Sequence, residues 1–245
     1  MNILKKIKKW IYRDYFSDRP RIYNRFGALW LLRYRNHIDR KLILGELYEA
    51  GQLEYCGSLV KERDITGFID VGANIGLYSV LLTKSYPQLT RVISFEPDVR
   101  NYNNFCANLN LNNLDSKVDA RMLGISSAKT EVSFLSNLGN STGTSRIAAT
   151  APERTRLEKF AHTKIRVDTL DTQLSGVHDE TLFFKVDVEG HETEVIHGAG
   201  EVFKNNRCLI QMEILGKPDA VIQLLNECGF SQMKQIKGDF YFSNF

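Results

Sequence analysis

Hydrophobic and polar positions change their spacing near residue 66. Before that point apolar residues recur three and four apart. Ile3, Leu4, Ile7, Trp10 and Ile11 share one helical face, with Lys5, Lys6, Lys8 and Lys9 around the other. Residues 25–64 read on as two or so helices, the second carrying Leu42, Leu44, Leu47 and Tyr48. From 67 onward, short runs rich in β-branched and aromatic residues alternate with helical segments. Strands are predicted over 68–71, 91–98, 118–126, 130–135, 164–170, 181–188 and 208–215. Helices are predicted over 77–85, 101–112, 191–204 and 218–228, with a last short strand pair after them. TLFFKVDV (181–188) is nearly all apolar, as a buried parallel strand requires. This alternation predicts an α/β, doubly wound, Rossmann-like sheet over 66–245, behind an N-terminal helical extension over 1–65. Residues 137–147 read as a polar loop. That loop and the charged run 151–160 read either as a lid over a bound ligand or as an exposed insertion.

Composition narrows the class. A chain of 245 residues, 43% hydrophobic and 25% charged, suits one α/β domain with an extension. No run approaches the ~18 apolar residues of a membrane span, and the start shows no secretory signal. Cys56, Cys106, Cys208 and Cys228 are scattered without a CxxC pair, which speaks against a zinc site or disulfide framework and fits a reducing cytoplasm. The net charge of +3 is uneven: eleven Lys and Arg against three Asp give residues 1–40 a charge of +8, leaving −5 on the rest. A nucleic-acid reader carries its positive charge on the reading domain, so no nucleic-acid partner is expected. The basic amphipathic segment 1–13 is expected either to touch the inner membrane face peripherally or to pack on its own domain or a twin subunit in a homodimer.

Chemistry concentrates at three strand ends, where doubly wound sheets bind ligands. Asp70-Val-Gly72-Ala-Asn74-Ile-Gly76 is a small turn between strand and helix, whose glycines remove Cβ atoms from a ligand's path. Glu96 follows the next strand, placed to accept both hydroxyls of a ribose. Lys185, Asp187, Glu189, His191 and Glu192 crowd the end of the apolar strand, a cluster that packing alone does not justify. Together they point to an adenine nucleoside. The dinucleotide fingerprint fails, because its second and third glycine places hold Asn74 and Leu77, and no Walker lysine is present. S-adenosylmethionine, which has no phosphate, tolerates the looser turn.

DVGANIG, FEPD, KVDVEGHETEVIHGA and QMEIL, in that order and spacing, resemble the FkbM family of S-adenosylmethionine-dependent methyltransferases over roughly residues 66–215. The resemblance implies the class I methyltransferase fold, a mostly parallel seven-stranded sheet with an antiparallel last strand. It implies that Asp70, Gly72, Asn74 and Gly76 surround the methionine part and that Glu96 holds the ribose. By the same token Gly124, Ile125 and Ser126 flank the adenine and Asp187 lies near the transferred methyl. Family members methylate hydroxyl oxygens, often of sugars, so a hydroxylated small molecule or glycan is the expected acceptor. An alcohol must lose its proton as the new bond forms, which calls for a general base. His191 is the first candidate because it titrates near neutrality, then Glu189, then Glu213, with Asp187 orienting base or acceptor. Two acids and a histidine could also hold Mg²⁺, a reading we do not favour. A non-enzymatic cofactor-binding or membrane-associated partner is the alternative, and an NAD-dependent oxidoreductase ranks below it. Base methylation is disfavoured, since Asp187-Val-Glu-Gly190 replaces the Asn/Asp-Pro-Pro-aromatic turn of exocyclic-amine methyltransferases.

Overall fold

The computed structural model describes residues 19–139, 142–152, 155–216 and 218–245. The amphipathic segment 1–13 lies outside the described residues, as do Glu153 and Arg154 of the charged run.

The extension is not helical throughout. Arg21–Arg25 (β1) and Ala28–Leu32 (β2) pair antiparallel around Phe26 and Gly27, both at positive φ (54° and 75°). That is the two-residue loop whose twist matches its flanking strands. Period two then buries Ala28, Trp30 and Leu32. Helices His37–Ile43 (α1) and Ala50–Glu62 (α2) follow; Leu44, Leu47 and Tyr48 belong to the connection between them. Asn36 caps α1 by accepting from the Ile38 N–H.

The main domain opens with Gly67–Val71 (β3), Leu77–Ser85 (α3), Arg91–Phe95 (β4), Val99–Leu111 (α4) and Val118–Arg121 (β5). It closes with Thr181–Val186 (β10), Glu192–His197 (α6), Gly200–Asn205 (α7), Arg207–Glu213 (β11), Pro218–Glu227 (α8), Ser231–Ile236 (β12) and Asp239–Ser243 (β13). Its seven-stranded sheet has the order β12-β13-β11-β10-β3-β4-β5. Strands β5, β4, β3, β10 and β11 run parallel, while β13 is antiparallel to both its neighbours. This is the sheet the resemblance implied. Strand order reverses between β3 and β10, so the crevice beyond Val71 and Val186 is the expected ligand position.

Between these halves the chain builds a second sheet. Gly124–Ile125 (β6), Thr130–Asn137 (β7), Arg146–Ile147 (β8) and Phe160–Asp168 (β9) form four strands in the order β6-β9-β7-β8. The strand predicted over 118–126 therefore breaks at Met122 and Leu123, and the strand predicted over 164–170 belongs to this sheet and stops at Asp168. Thr169 ends it by capping the short helix Leu170–Gln173 (α5). The helix predicted over 191–204 is divided into α6 and α7 by Gly198 and Ala199.

Both faces of the main sheet are covered, which is why Leu182, Phe183, Phe184 and Val186 of β10 are all apolar and buried. Phe68 and Phe183 stack on the face that also receives Trp30, Leu42, Val60 and Phe105. Ile69, Phe184 and Ile210 face the other way, toward Val195, Phe203 and Phe230. Residues 28–65 thus share a core with the main domain.

Candidate active site

The turn after β3 carries the first site residues. Gly72 and Gly76 have φ of 86° and 82°, which L side chains rarely adopt. A Cβ on Gly72 would collide with the Asp187 carbonyl oxygen, and one on Gly76 with the Phe105 ring. Both glycines answer to close protein packing: at Gly72 it brings the β3 and β10 ends together, and at Gly76 it seats the Phe105 ring against the turn. Asn74 takes the left-handed conformation between them (φ 54°), and its Oδ1 is buried without a hydrogen-bond partner.

Glu96, at the end of β4, is only 5% exposed. Its Oε2 accepts the Asn74 N–H at 2.7 Å and its Oε1 the Asp98 N–H at 2.8 Å, so the turn and the strand end orient one carboxyl group. Burial pushes it up to about 8 against the pull of these two donors. Asp98 in turn caps α4 through the Arg100 N–H and accepts from Ser136 and Ser145, tying the second sheet to this wall.

The end of β10 carries the charged cluster. Lys185 Nζ donates to Asp187 Oδ2 at 3.0 Å. Glu189 and Gly190 turn the chain at positive φ (55° and 101°), and Arg146 from β8 holds Glu189 Oε2 at 2.8 Å. Burial, then Asp187, raises Glu189 to about 7, while Arg146 works against them. His191 is 8% exposed; its Nε2 lies 3.0 Å from Ser126 Oγ and its Nδ1 has no partner. Burial lowers its pKa, outweighing the pull of Glu194. Burial also lifts Glu213 to about 8, with Asp187 and its cross-strand partner Asp239 adding to the rise.

Most of these groups meet at one cleft. Gly72, Asn74, Glu96, Asp187, Glu189 and His191 line it, together with Gly124 and Ile125. Four predicted residues stand off the wall. Ser126 lies behind His191, and Gly76 packs on Phe105. Asp70 is 1% exposed and accepts from Ser79 Oγ at 2.6 Å. Glu213 stands beside Asp187 and Asp239. The sequence offered 137–147 only as a candidate lid loop and singled out neither Phe134, Ile147 and Ile165, which give the second sheet an apolar face on the cleft, nor Asn101, Ser145 and Arg146. Arg146 was one cation in a polar loop, with no spacing to mark it. Among the described residues, no three His, Cys, Asp or Glu side chains are grouped to hold a metal ion, and no helix is long and apolar enough to cross a membrane.

The chain is similar to several known proteins. Methyltransferase sdnD of Sordaria araneosa is 28% identical over 193 residues, 67% of this chain and 70% of that protein. Methyltransferase 1 of Beauveria bassiana (strain ARSEF 2860) is 26% identical over 159 residues, covering 60% of this chain and 63% of that one. The crystal structure of methyltransferase FkbM from Methylobacillus flagellatus KT superposes with a TM-score of 0.47 at 18% identity, covering 74% of this chain and 43% of that chain. Residues 70–231, from the acid of the β3 turn to the start of β12, match the methyltransferase FkbM domain as a family. With the β3 turn, the β4 glutamate and the β10 cluster all inside that span, the chain belongs to the FkbM methyltransferase family.

Proposed function

We propose that the protein transfers a methyl group from S-adenosylmethionine to a hydroxyl of a sugar, a glycan or another hydroxylated small molecule. The observation that carries the cofactor reading is the Glu96 carboxyl, fixed by two backbone N–H groups on the cleft wall and able to accept from a ribose diol. The remaining wall fits the same molecule. Ile125, Ile147 and Ile165 offer an apolar slot for a flat base, and the unpartnered Asn74 Oδ1 and His191 Nδ1 await polar partners. Asp187 presents a carboxylate to a cationic centre, and the turn lacks the glycines a pyrophosphate would need.

When bound, the sulfonium supplies an activated methyl group. The chain has to align the acceptor for in-line attack and take its proton. His191 is tied to Ser126, in the stretch proposed to flank the adenine, so the acceptor's proton is better assigned to Glu189, which lines the cleft beside Asp187. Glu189, held by Arg146, borders the same space. A pKa of about 7 or 8 suits a carboxyl that must accept a proton near neutrality.

Calorimetric titration with S-adenosylmethionine and with NAD, repeated on Glu96→Ala, tests the cofactor reading. Saturable binding of the first alone is expected, weakened about 10-fold in the variant as the carboxyl's hydrogen bonds to the ribose are lost. Binding of NAD, or full affinity in Glu96→Ala, would overturn it.

A further inference from the structure

Beside the cleft lies a second groove with a different lining. The segment between β2 and α1 and the first two turns of α4 contribute its walls, and Asn101 borders both spaces. Arg33 and Arg35 come from the first of these and Arg100 from the second. The Arg100 Nη2 donates to Ser136 Oγ at 3.0 Å and to the Asn137 carbonyl oxygen, which anchors its guanidinium at the groove. Its Nε lies 3.6 Å from Asp98, the cap of α4. Asn103 and Asn104, on the same helix, add amides that both donate and accept. Among the described residues lining the groove, the acid is Asp39, and it is 1% exposed. Its Oδ2 accepts the Arg33 N–H at 2.7 Å, while its Oδ1 is buried without a hydrogen-bond partner. Buried polar atoms are ordinarily paired, so a hydroxyl reaching this wall would satisfy it. Burial raises Asp39 to about 7, which tempers its repulsion of an anion.

We propose that this groove anchors the methyl acceptor and takes a sugar carrying a phosphate or carboxylate group, with the arginines on the anion and Asp39 and the asparagines on the hydroxyls. Guanidinium groups match either anion with paired N–H donors. A neutral sugar gains nothing from three cations gathered at one groove, whereas an anion offsets their mutual repulsion. Arg33, Arg35 and Asp39 precede the 70–231 family match. The extension thus supplies groups that select the acceptor, and the shared domain those that transfer the methyl. The proposal rests on the reading that S-adenosylmethionine donates its methyl to a hydroxyl, and it narrows the acceptor to acidic sugars.

The test is calorimetric titration of the full-length protein with glucose 6-phosphate, glucuronate and glucose at matched ionic strength. At least one of the two anionic sugars should bind about 10-fold or more tightly than glucose, and the pair tells a phosphate site from a carboxylate site. Arg35→Gln should remove most of that preference, as should Arg33→Gln, which keeps the backbone N–H that Asp39 accepts. Lys84→Gln, which removes the same charge from an exposed position outside the groove, should leave the preference intact. Equal affinity for the three sugars, no binding of either anionic one, or an equal loss in Lys84→Gln and both arginine variants would overturn the proposal. With S-adenosylmethionine present, the preferred anionic sugar should yield S-adenosylhomocysteine faster than glucose does; a sugar that binds without doing so ends the acceptor role. Each protein is also titrated with S-adenosylmethionine, whose affinity should be the same in wild type and variants. A wild type that binds anionic sugar but not S-adenosylmethionine would remove the cofactor reading, and the acceptor role with it.

Discussion

Glu213 shows how a single residue acquires a role from its neighbours. On its own it is a strand-end glutamate; beside Asp187 and opposite Asp239 it holds a proton up to about pH 8. The three candidate bases can therefore be separated by the pH dependence of kcat once an acceptor is in hand. A base works when deprotonated, so the rate should rise with pH through the pKa of the group that matters. A rise centred near 8 assigns Glu213 and one near 7 assigns Glu189; a rise centred below 6.5 assigns His191, whose pKa is lowered by burial. We expect the second, because Glu189 lines the cleft. Glu189→Gln should lower kcat by about 10²- to 10³-fold while leaving the affinity for S-adenosylmethionine nearly unchanged. Gly72 carries the opposite lesson. The glycine was visible in the sequence, but the atom it makes room for, the Asp187 carbonyl oxygen 115 positions further along, was not.

The asparagines of α4 explain how a helix and a hairpin can be joined. Leu31 N–H of β2 donates to Asn108 Oδ1 at 2.7 Å, and Asn108 Nδ2 donates to the Ile75 carbonyl oxygen at 2.9 Å. Asn112 accepts the Leu29 N–H and donates to the Leu29 carbonyl oxygen, so its amide stands in for a neighbouring strand. The free edge of β2 is satisfied by side chains rather than by another strand. Asn108→Leu would leave a buried N–H and a buried carbonyl unpaired, at a cost of about 2–4 kcal/mol. Thermal unfolding of this variant should fall by roughly 5–15 °C, and an unchanged midpoint would show that the hairpin is not held this way. The hairpin itself was legible only in part. Ala28, Trp30 and Leu32 alternate as a strand should, but the turn is Phe-Gly, without the Asn-Gly or Asp-Gly signature that marks such loops. The helices gave stronger signals, and Leu77–Ser85 begins and ends where its pattern predicted.

Across the whole molecule, several buried carboxyls carry protons near neutrality, and this makes stability depend on pH. Asp39, Glu96, Glu189 and Glu213 are raised from ordinary values of 3.8 to 4.5 up to about 7 or 8. Between those limits the folded chain binds more protons than the unfolded chain, so raising the pH favours unfolding. His191 acts in the other direction: below about 6.5 the unfolded chain takes up a proton that the buried imidazole resists. Among the described residues His37 is lowered likewise, so two imidazoles oppose these four carboxyls and the similarly raised Glu49, Asp70 and Glu192. The ligand-free protein should therefore melt at a higher temperature at pH 5.5 than at pH 8, by about 2–4 °C for each kcal/mol of difference. Calorimetry at the two values would refute this if the order were reversed.

Local pattern determined much of this protein. A strand buried on both faces must be apolar along its length, so β10 and the parallel core declared themselves, and the polar residues at the β3, β4 and β10 ends stood out against that background. Only the tertiary structure decided that residues 124–168 leave the main sheet to wall the cleft, that Arg146 meets Glu189, and that the Tyr78 hydroxyl donates to Glu49. Periodicity reports which face of an element is buried. It carries no record of what covers that face, and contacts between residues a hundred positions apart are set by packing alone.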